Sequence, residues 1–321
     1  VGGTVTGEHG VGVEKLNQMC VQFNSEELTQ MHAVKAAFDP HGLLNPGKAV
    51  PTLHRCAEFG AMHVHKGQLG VRVVNGRGEV MRFGGEVMKN VAGYDISRLL
   101  TGSGQFGSLG VLLDVSVKVL AAPRTTRTIA FELPPRRAIE LFASVRNRPL
   151  PLAGACHLGE HAWVRLAGSP AAVEQGTEVL MGEGGEALEE TDDTQLWSAL
   201  RDLRLDFFDD PRPLYRLSVP PARRPLDTPG ECLIDWGGAQ RWLLPAPGVE
   251  LTRIRGEARA LGGHATRFRP ALSTTGATRE QARISEVFQP LAPAVHAIHT
   301  RLKAAFDPHG ILNPGRQYPG L

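Results

Sequence analysis

Two histidines stand in glycine-dense turns, where an imidazole and bare backbone could approach a flat ligand together. His9 lies in Gly2-Gly3-Thr4-Val5-Thr6-Gly7-Glu8-His9-Gly10-Val11-Gly12, and His264 in Gly262-Gly263-His264-Ala265-Thr266-Arg267-Phe268. An imidazole placed this way could take the proton of a substrate hydroxyl. Arg267, three residues after His264, could hold a carboxylate through two parallel hydrogen bonds. From the residues alone, tying down a turn is at least as good a role for His264 and Arg267.

Each histidine turn precedes a helical pattern that ends in the same motif. Lys35 to Lys48 reads KAAFDPHGLLNPGK and Lys303 to Arg316 reads KAAFDPHGILNPGR; twelve of the fourteen positions are identical, and the other two exchange Leu for Ile and Lys for Arg. Two copies are too few for a solenoid and read instead as two equivalent tails. Asn24 and Glu27 form a capping-box pattern before Leu28, Met31, Val34 and Phe38 at helical spacing; Val295, Ile298, Leu302 and Phe306 repeat that spacing. Asp-Pro stops each helix, because a residue before proline is pushed out of the α region. Asn-Pro-Gly then makes a rigid turn that can present Asn45 or Asn313 to a partner. On physical grounds alone, a helix stop followed by a structural turn accounts for both copies.

The intervening elements must position these groups. Val71–Val74 and Glu79–Phe83 flank Asn75-Gly76-Arg77-Gly78, a β-hairpin signal. Asp95 is placed to cap a short helix from Ile96 to Leu100, which Gly102 ends. A glycine-rich loop from Gly102 to Gly110 follows, whose N–H groups could approach an anionic or planar cofactor. It leads into Leu113, Val115, Val117 and Val119 alternating with Asp114, Ser116 and Lys118, which predicts a half-buried strand. The loop is not a GxGxxG after a strand, so a nicotinamide site of the Rossmann type is not supported.

Residues 126–190 read as strand, helix, strand, strand, helix and strand, the βαββαβ order of a ferredoxin-like unit, with Ser169-Pro170 opening its second helix. Leu196, Trp197, Leu200 and Leu203 form a further amphipathic helix, and Tyr215, Leu217 and Val219 a strand. Cys232–Trp236 and Arg241–Leu244 pair as a hairpin across Gly237-Gly238, with their aromatic residues read as core.

A net charge of +2 over 321 residues, with no block of like charge, gives no case for nucleic acid. No apolar stretch is long enough to span a bilayer, and no signal peptide opens the chain. Cys20, Cys56, Cys156 and Cys232 are far apart, which excludes a CxxC cluster and fits reduced, packed thiols and a cytoplasmic location.

TGEHGVG followed by FDPHGLLNPGK, and the run to His65, resemble the end of the catalytic D subunit of bacterial glycolate oxidase, an FAD-dependent family that oxidises 2-hydroxy acids. From about Gly70 the chain is similar to the companion E subunit, carried by FGGEVMKNVAGYD (83–95), LIDWGG (233–238), GGHATRF (262–268) and ILNPGR (311–316). The resemblance implies an α+β fold: a D-like tail over 1–69, the second half of a PCMH-type FAD-binding domain over 70–124, a ferredoxin-like α/β cap domain over 125–260, and a tail over 261–321 that returns to the flavin. This order implies an E-type subunit without its beginning, where the family carries its pyrophosphate loop. The resemblance also implies FAD contacts from Lys89, Asn90, Tyr94, Asp95, Gly102, Gly107, Val111, Asn313 and Arg316. His9, His264 and Arg267 become the catalytic candidates. Glu8 and His9 correspond to a family motif that can reach a metal, but the other ligands have no counterpart here, so no metal is expected. The implied partners are a D-type flavin subunit, an iron–sulfur subunit and a small 2-hydroxy acid, with any attachment to the inner membrane made through the complex. A non-catalytic interaction subunit that no longer binds FAD is the alternative.

Overall fold

The computed structural model describes residues 19, 22–44, 68–84, 93–102, 106–117, 119, 121–271 and 287–321. The chain divides into two compact units, residues 1–120 with 290–321, and residues 121–289.

The first unit is organised around the repeat. Helix α1 (Ser25–Phe38) opens with the capping box: Asn24 Oδ1 accepts from Glu27 N–H at 2.8 Å, and Glu27 Oε2 accepts from Asn24 N–H at 2.9 Å. Strands β1 (Gln68–Val74) and β2 (Val80–Gly84) form the antiparallel hairpin, Val74 opposite Val80 and Val71 opposite Phe83. Helix α2 (Ile96–Thr101) is capped by Asp95, whose Oδ1 accepts from Arg98 N–H at 3.0 Å. Strand β3 (Val111–Val117) pairs antiparallel with β1, so the sheet order is β2-β1-β3. Met31, Val71, Val73, Met81, Phe83 and Phe306 are the centre of this unit's core.

The second unit holds strands β4 (Thr125–Glu132), β5 (Leu152–Leu158), β6 (His161–Gly168), β7 (Glu186–Ala187), β8 (Leu214–Ser218), β9 (Gly230–Asp235), β10 (Gln240–Pro245) and β11 (His264–Arg269) in one sheet of order β11-β8-β10-β9-β5-β6-β4-β7. Helices α3 (Pro135–Arg146) and α4 (Pro170–Gly182) complete a βαββαβ run whose strands lie β5-β6-β4-β7, the ferredoxin-like arrangement. Strand residues alternate between faces, and this sorts the core. Val164, Leu166 and Ile234 lie with α3 and α4, while Leu217, Leu243 and Ala265 lie with α7 (Leu251–Ala260) on the same face. Cys156, Leu233, Trp242 and Leu244 take the other face, with α5 (Glu190–Arg201) and α6 (Asp206–Asp209).

The largest fully buried side chain among the described residues is that of Arg241, on β10. Its Nε donates to Gly238 O at 3.1 Å, and Nη1 and Nη2 donate to Arg224 O and Arg223 O, each at 2.8 Å. Burial pushes its pKa down, while the neighbouring Cys232 and Glu257 oppose that shift. Cys156 is buried and Cys232 half-buried, and both are free thiols. Burial raises the Cys156 thiol and pushes Cys232 up to about 12, so both stay protonated and inert at neutral pH. Cys20 and Cys56 lie outside the described residues.

Candidate functional site

The two copies of the repeat fold into the same local knot. In the first, Asp39 Oδ1 and Oδ2 accept from the N–H groups of Leu43 and Leu44 at 2.9 and 2.7 Å, and Lys35 Nζ bonds Asp39 and donates to Leu44 O at 2.7 Å. In the second, which follows helix α8 (Pro293–Phe306), Asp307 accepts from Ile311 and Leu312 at 3.2 and 2.8 Å, and Lys303 Nζ donates to Asp307 at 2.7 Å and Leu312 O at 2.5 Å. Gly42 and Gly310 supply the left-handed residue each turn needs, at φ 65° and 63°. The helices contact each other reciprocally: Gln30 donates to Ala305 O at 3.3 Å, and Arg301 to Ala37 O, the equivalent carbonyl, at 2.6 Å.

Among the described residues, the second copy alone is seated on the glycine-rich loop. Asn313 Nδ2 donates to Phe106 O at 2.6 Å, and Lys303 Nζ reaches Ser108 O at 2.8 Å. Gly107, at φ 69°, takes a conformation that L side chains rarely adopt, and a Cβ there would press on Asn313 Nδ2 at 3.0 Å. The hairpin turn joins the same clasp. Gly76 N–H donates to Phe306 O at 2.9 Å, and a Cβ on Gly76 would lie 2.2 Å from Asp307 Oδ1. Phe306 is fully buried, whereas its counterpart Phe38 is 52% exposed. The space between loop and tail is about 20 Å³, lined by Ser108, Leu109, His299, Leu302, Lys303, Gln317 and Leu321, room for about one water. Burial and the nearby His296 lower the His299 pKa. Lys303 and His299 escaped sequence reasoning, which had only their helical spacing to work from.

Among the other expected flavin contacts, Asp95 is engaged as the α2 cap, and Tyr94 is half-buried against the core with its hydroxyl pKa raised by burial and by Asp39. Gly102 ends α2 by donating to Arg98 O at 2.8 Å. Val111 begins β3 opposite Val74 and is 53% exposed. Arg316 is exposed in the last turn, where its N–H donates to Asn313 O at 3.1 Å. Lys89, Asn90 and His9 lie outside the described residues, as does Asn45.

Strand β3 departs from the half-buried pattern expected of it. Leu113 is 46%, Val115 41% and Val117 59% exposed, and Leu112 on the opposite parity is 40% exposed. The alternation is present in the sequence but not in the burial: among the described residues no element covers either face of the strand.

His264 and Arg267 belong to the second unit, on β11. His264, exposed, pairs with Ser218, and Arg267 with Tyr215; their separation by three places them on opposite faces of the strand. The two glycines before them have a structural reason: Gly262 takes φ 82° after α7, and a Cβ on Gly263 would lie 1.9 Å from Ser218 O. Trp236 departs from the core role expected of it, being 65% exposed.

Residues 1–49 and 283–317 match the C-terminal domain of the FAD linked oxidases. The chain is 42% identical over 253 residues to the glycolate oxidase subunit GlcE of Escherichia coli (strain K12), covering 79% of this chain and 65% of that protein. It is also 77% identical over 69 residues to the glycolate oxidase subunit GlcD of the same strain, covering 22% of this chain and 14% of that protein. The solved structure of 4-ethylphenol oxidase from Gulosibacter chungangensis, in its isoeugenol complex, aligns at TM-score 0.49 and 16% identity over 79% of this chain and 66% of that one. The chain is therefore an α+β protein that carries FAD-linked oxidase sequence in both tails. More particularly, it is similar to the E-type subunit of glycolate oxidase over most of its length and to the end of the D-type subunit at its beginning. It spans 65% of the length of that E-type relative. No helix among the described residues is long and apolar enough to cross a membrane.

Proposed function

We propose that this chain is the FAD-binding subunit of a glycolate oxidase-like complex, acting with a D-type flavin subunit and an iron–sulfur subunit on a small 2-hydroxy acid such as glycolate. The observation that carries this reading is the clasp in which Asn313 and Lys303 hold the Phe106–Ser108 backbone beside Gly107. A loop of this kind, its carbonyls tied to the tail and without a side chain at Gly107, suits close backbone approach to a planar, anionic cofactor. On this reading Gly107 and Gly102 would line one edge of the flavin site, and exposed Arg316 would offer a cation to a phosphate. Lys89, Asn90, Tyr94, Asp95 and Val111 would complete that edge. When bound, FAD supplies the acceptor for the substrate's hydride. His9 would accept the hydroxyl proton; on the second unit, His264 as a base or Arg267 as a carboxylate holder is the alternative. Because His264 and Arg267 face opposite sides of β11, a single ligand on that strand meets one of them and not both.

The test is the visible absorption of the purified chain before and after incubation with FAD and gel filtration. Flavin bands that travel with the protein, and that bleach with glycolate when the partner subunits are present, are expected. A flat spectrum overturns cofactor binding by this chain. The second reading, an interaction subunit without flavin, draws on the uncovered apolar residues of β3, a pairing edge open to another polypeptide. It predicts co-purification with D-type and iron–sulfur subunits in the absence of FAD, abolished by Leu113→Lys with Val117→Lys.

A further inference from the structure

The sheet of the second unit consists of two halves, β7-β4-β6-β5 and β9-β10-β8-β11, that meet along β5 and β9. On either side of this seam the ladders are long: β5 and β6 share six residue pairs, and so do β9 and β10. The seam itself is closed by one pair, His157 opposite Ile234. Beyond that pair the strands separate around a groove of about 1020 Å³, with Leu152–Ala155 on one side and Asp235–Gly237 on the other.

His157 is 1% exposed and shares with Ile234 the sheet face that α3 and α4 cover. Its Nε2 lies 3.0 Å from Leu133 O. A carbonyl only accepts, so Nε2 carries the proton and donates. Nδ1 is then a bare lone pair, and this buried atom has no hydrogen-bond partner. The groups around it are apolar: β6 presents Ala162, β9 presents Ile234, and α3 turns Ala138, Ile139 and Phe142 inward. The α3 charges Arg136, Arg137 and Glu140 pair with one another at the surface. Arg165 on β6, and Glu231 and Asp235 on β9, lie an odd number of residues from Ala162 and Ile234 and face the other side of the sheet. Two titratable groups remain within electrostatic reach, Glu160 and His161. Burial lowers the His157 pKa below its ordinary 6.5, against the Leu133 bond and Glu160, which favour the cation; His161 opposes the cation.

We propose that His157 is an acid-operated latch on this seam: a proton taken up at Nδ1 places a cation, and a donor without an acceptor, at the one pair that joins the halves, so that β5 and β9 part and the groove widens. A buried charge with an unmatched donor is relieved by letting water in, and the protein opens where least structure is broken. One pair is lost at the seam, against six in either flanking ladder. A histidine whose folded pKa lies below 6.5 supports the closed form fully above 6.5, and that support is lost as pH falls through 6.5 toward the folded value. The inference concerns the second unit by itself and stands whether or not the chain binds FAD.

The test uses the full chain and its own Cys156, a free thiol 3% exposed on β5 beside His157. Its labelling by 4,4′-dithiodipyridine, assigned by peptide mass spectrometry, is followed from about pH 7.5 to about pH 5, the range in which histidine titrates. Each rate is divided by that of the denatured chain at the same pH. The window lies above 3.8, where the lowered Asp39 and Asp307 keep their charge and the first unit is unaffected. The normalised rate should rise at least fivefold toward the acid end, while amide exchange in the β8–β10 ladder, normalised in the same way, changes less than twofold. His157→Gln keeps a donor for Leu133 O but cannot take up a proton, so its profile should be flat. Glu160→Gln removes the carboxylate that favours the cation and should move the midpoint of opening to lower pH. That shift keeps the test valid even where His157→Gln fails to fold. No rise at Cys156, a rise matched in the β8–β10 ladder, the same rise in folded His157→Gln, or an unmoved midpoint in Glu160→Gln overturns the proposal.

Discussion

Arg241 shows how a single charged side chain can be structural and nothing else. Buried and surrounded by carbonyls, it satisfies the backbone of the Arg223–Arg224 turn and of Gly238 at once. Arg241→Met should therefore leave three backbone acceptors without their partner and destabilise the second unit by about 2–4 kcal/mol, measured by denaturant titration. Arg241→Lys should not restore the loss, because an ammonium cannot reproduce the planar fork. The two repeat aspartates give a pH signature. Lys35, with the Leu44 and Leu43 amides and against burial, holds Asp39 at about 2, below its ordinary 3.8. At Asp307, burial raises the carboxyl, but Lys303 and the Leu312 and Ile311 amides outweigh it and leave it lowered. Lowered folded values mean the stabilisation is complete above 3.8 and is lost as pH falls toward about 2. Thermal melts across that window should show a steep decline, flattened in the Asp39→Asn, Asp307→Asn double variant.

At the scale of elements, identical segments meet different surroundings. Both tails carry the same Lys–Asp–amide knot, and among the described residues the second alone is joined to the loop and the hairpin; Phe306 is buried while Phe38 is exposed. In the second tail Asn313 holds Phe106 O from a left-handed conformation at φ 44°. Asn313→Ala removes the bond and keeps the conformational strain, and should cost about 2 kcal/mol. Asn313→Gly removes the bond alone, so it should cost about 1 kcal/mol; equal losses for the two would show that the backbone angle is irrelevant. Chemical denaturation followed by far-UV circular dichroism would separate them.

Across the whole molecule, the division into two units is also a division of cores. The clusters built on Val164, on Trp242 and on Leu243 lie wholly within residues 121–289, and the cluster built on Phe83 and Phe306 lies wholly within the other unit. A segment that holds its own core and its own sheet should fold alone. Residues 121–289 expressed by themselves are expected to melt in one cooperative transition and to retain dispersed methyl resonances. A broad, non-cooperative melt would show that the first unit is needed to complete them.

Local instructions were legible in the amino-acid order: the Asn24–Glu27 box, the Asp-Pro stops, the hairpin across Asn75–Gly78, the Asp95 cap and the βαββαβ run all follow from residue types a few positions apart. Those features depend on backbone geometry and short-range hydrogen bonding, which neighbouring residues fix. Which faces are covered is a matter of distant residues, and there the tertiary structure decided. It left β3 bare although its alternation predicts a buried face, and it put the Trp236 ring in solvent although its strand reads as core. It also set Arg216 beside Trp242, residues 26 apart in sequence, by pairing β8 with β10. Periodicity states that a strand has two sides, but only the packing of other elements determines what lies against each.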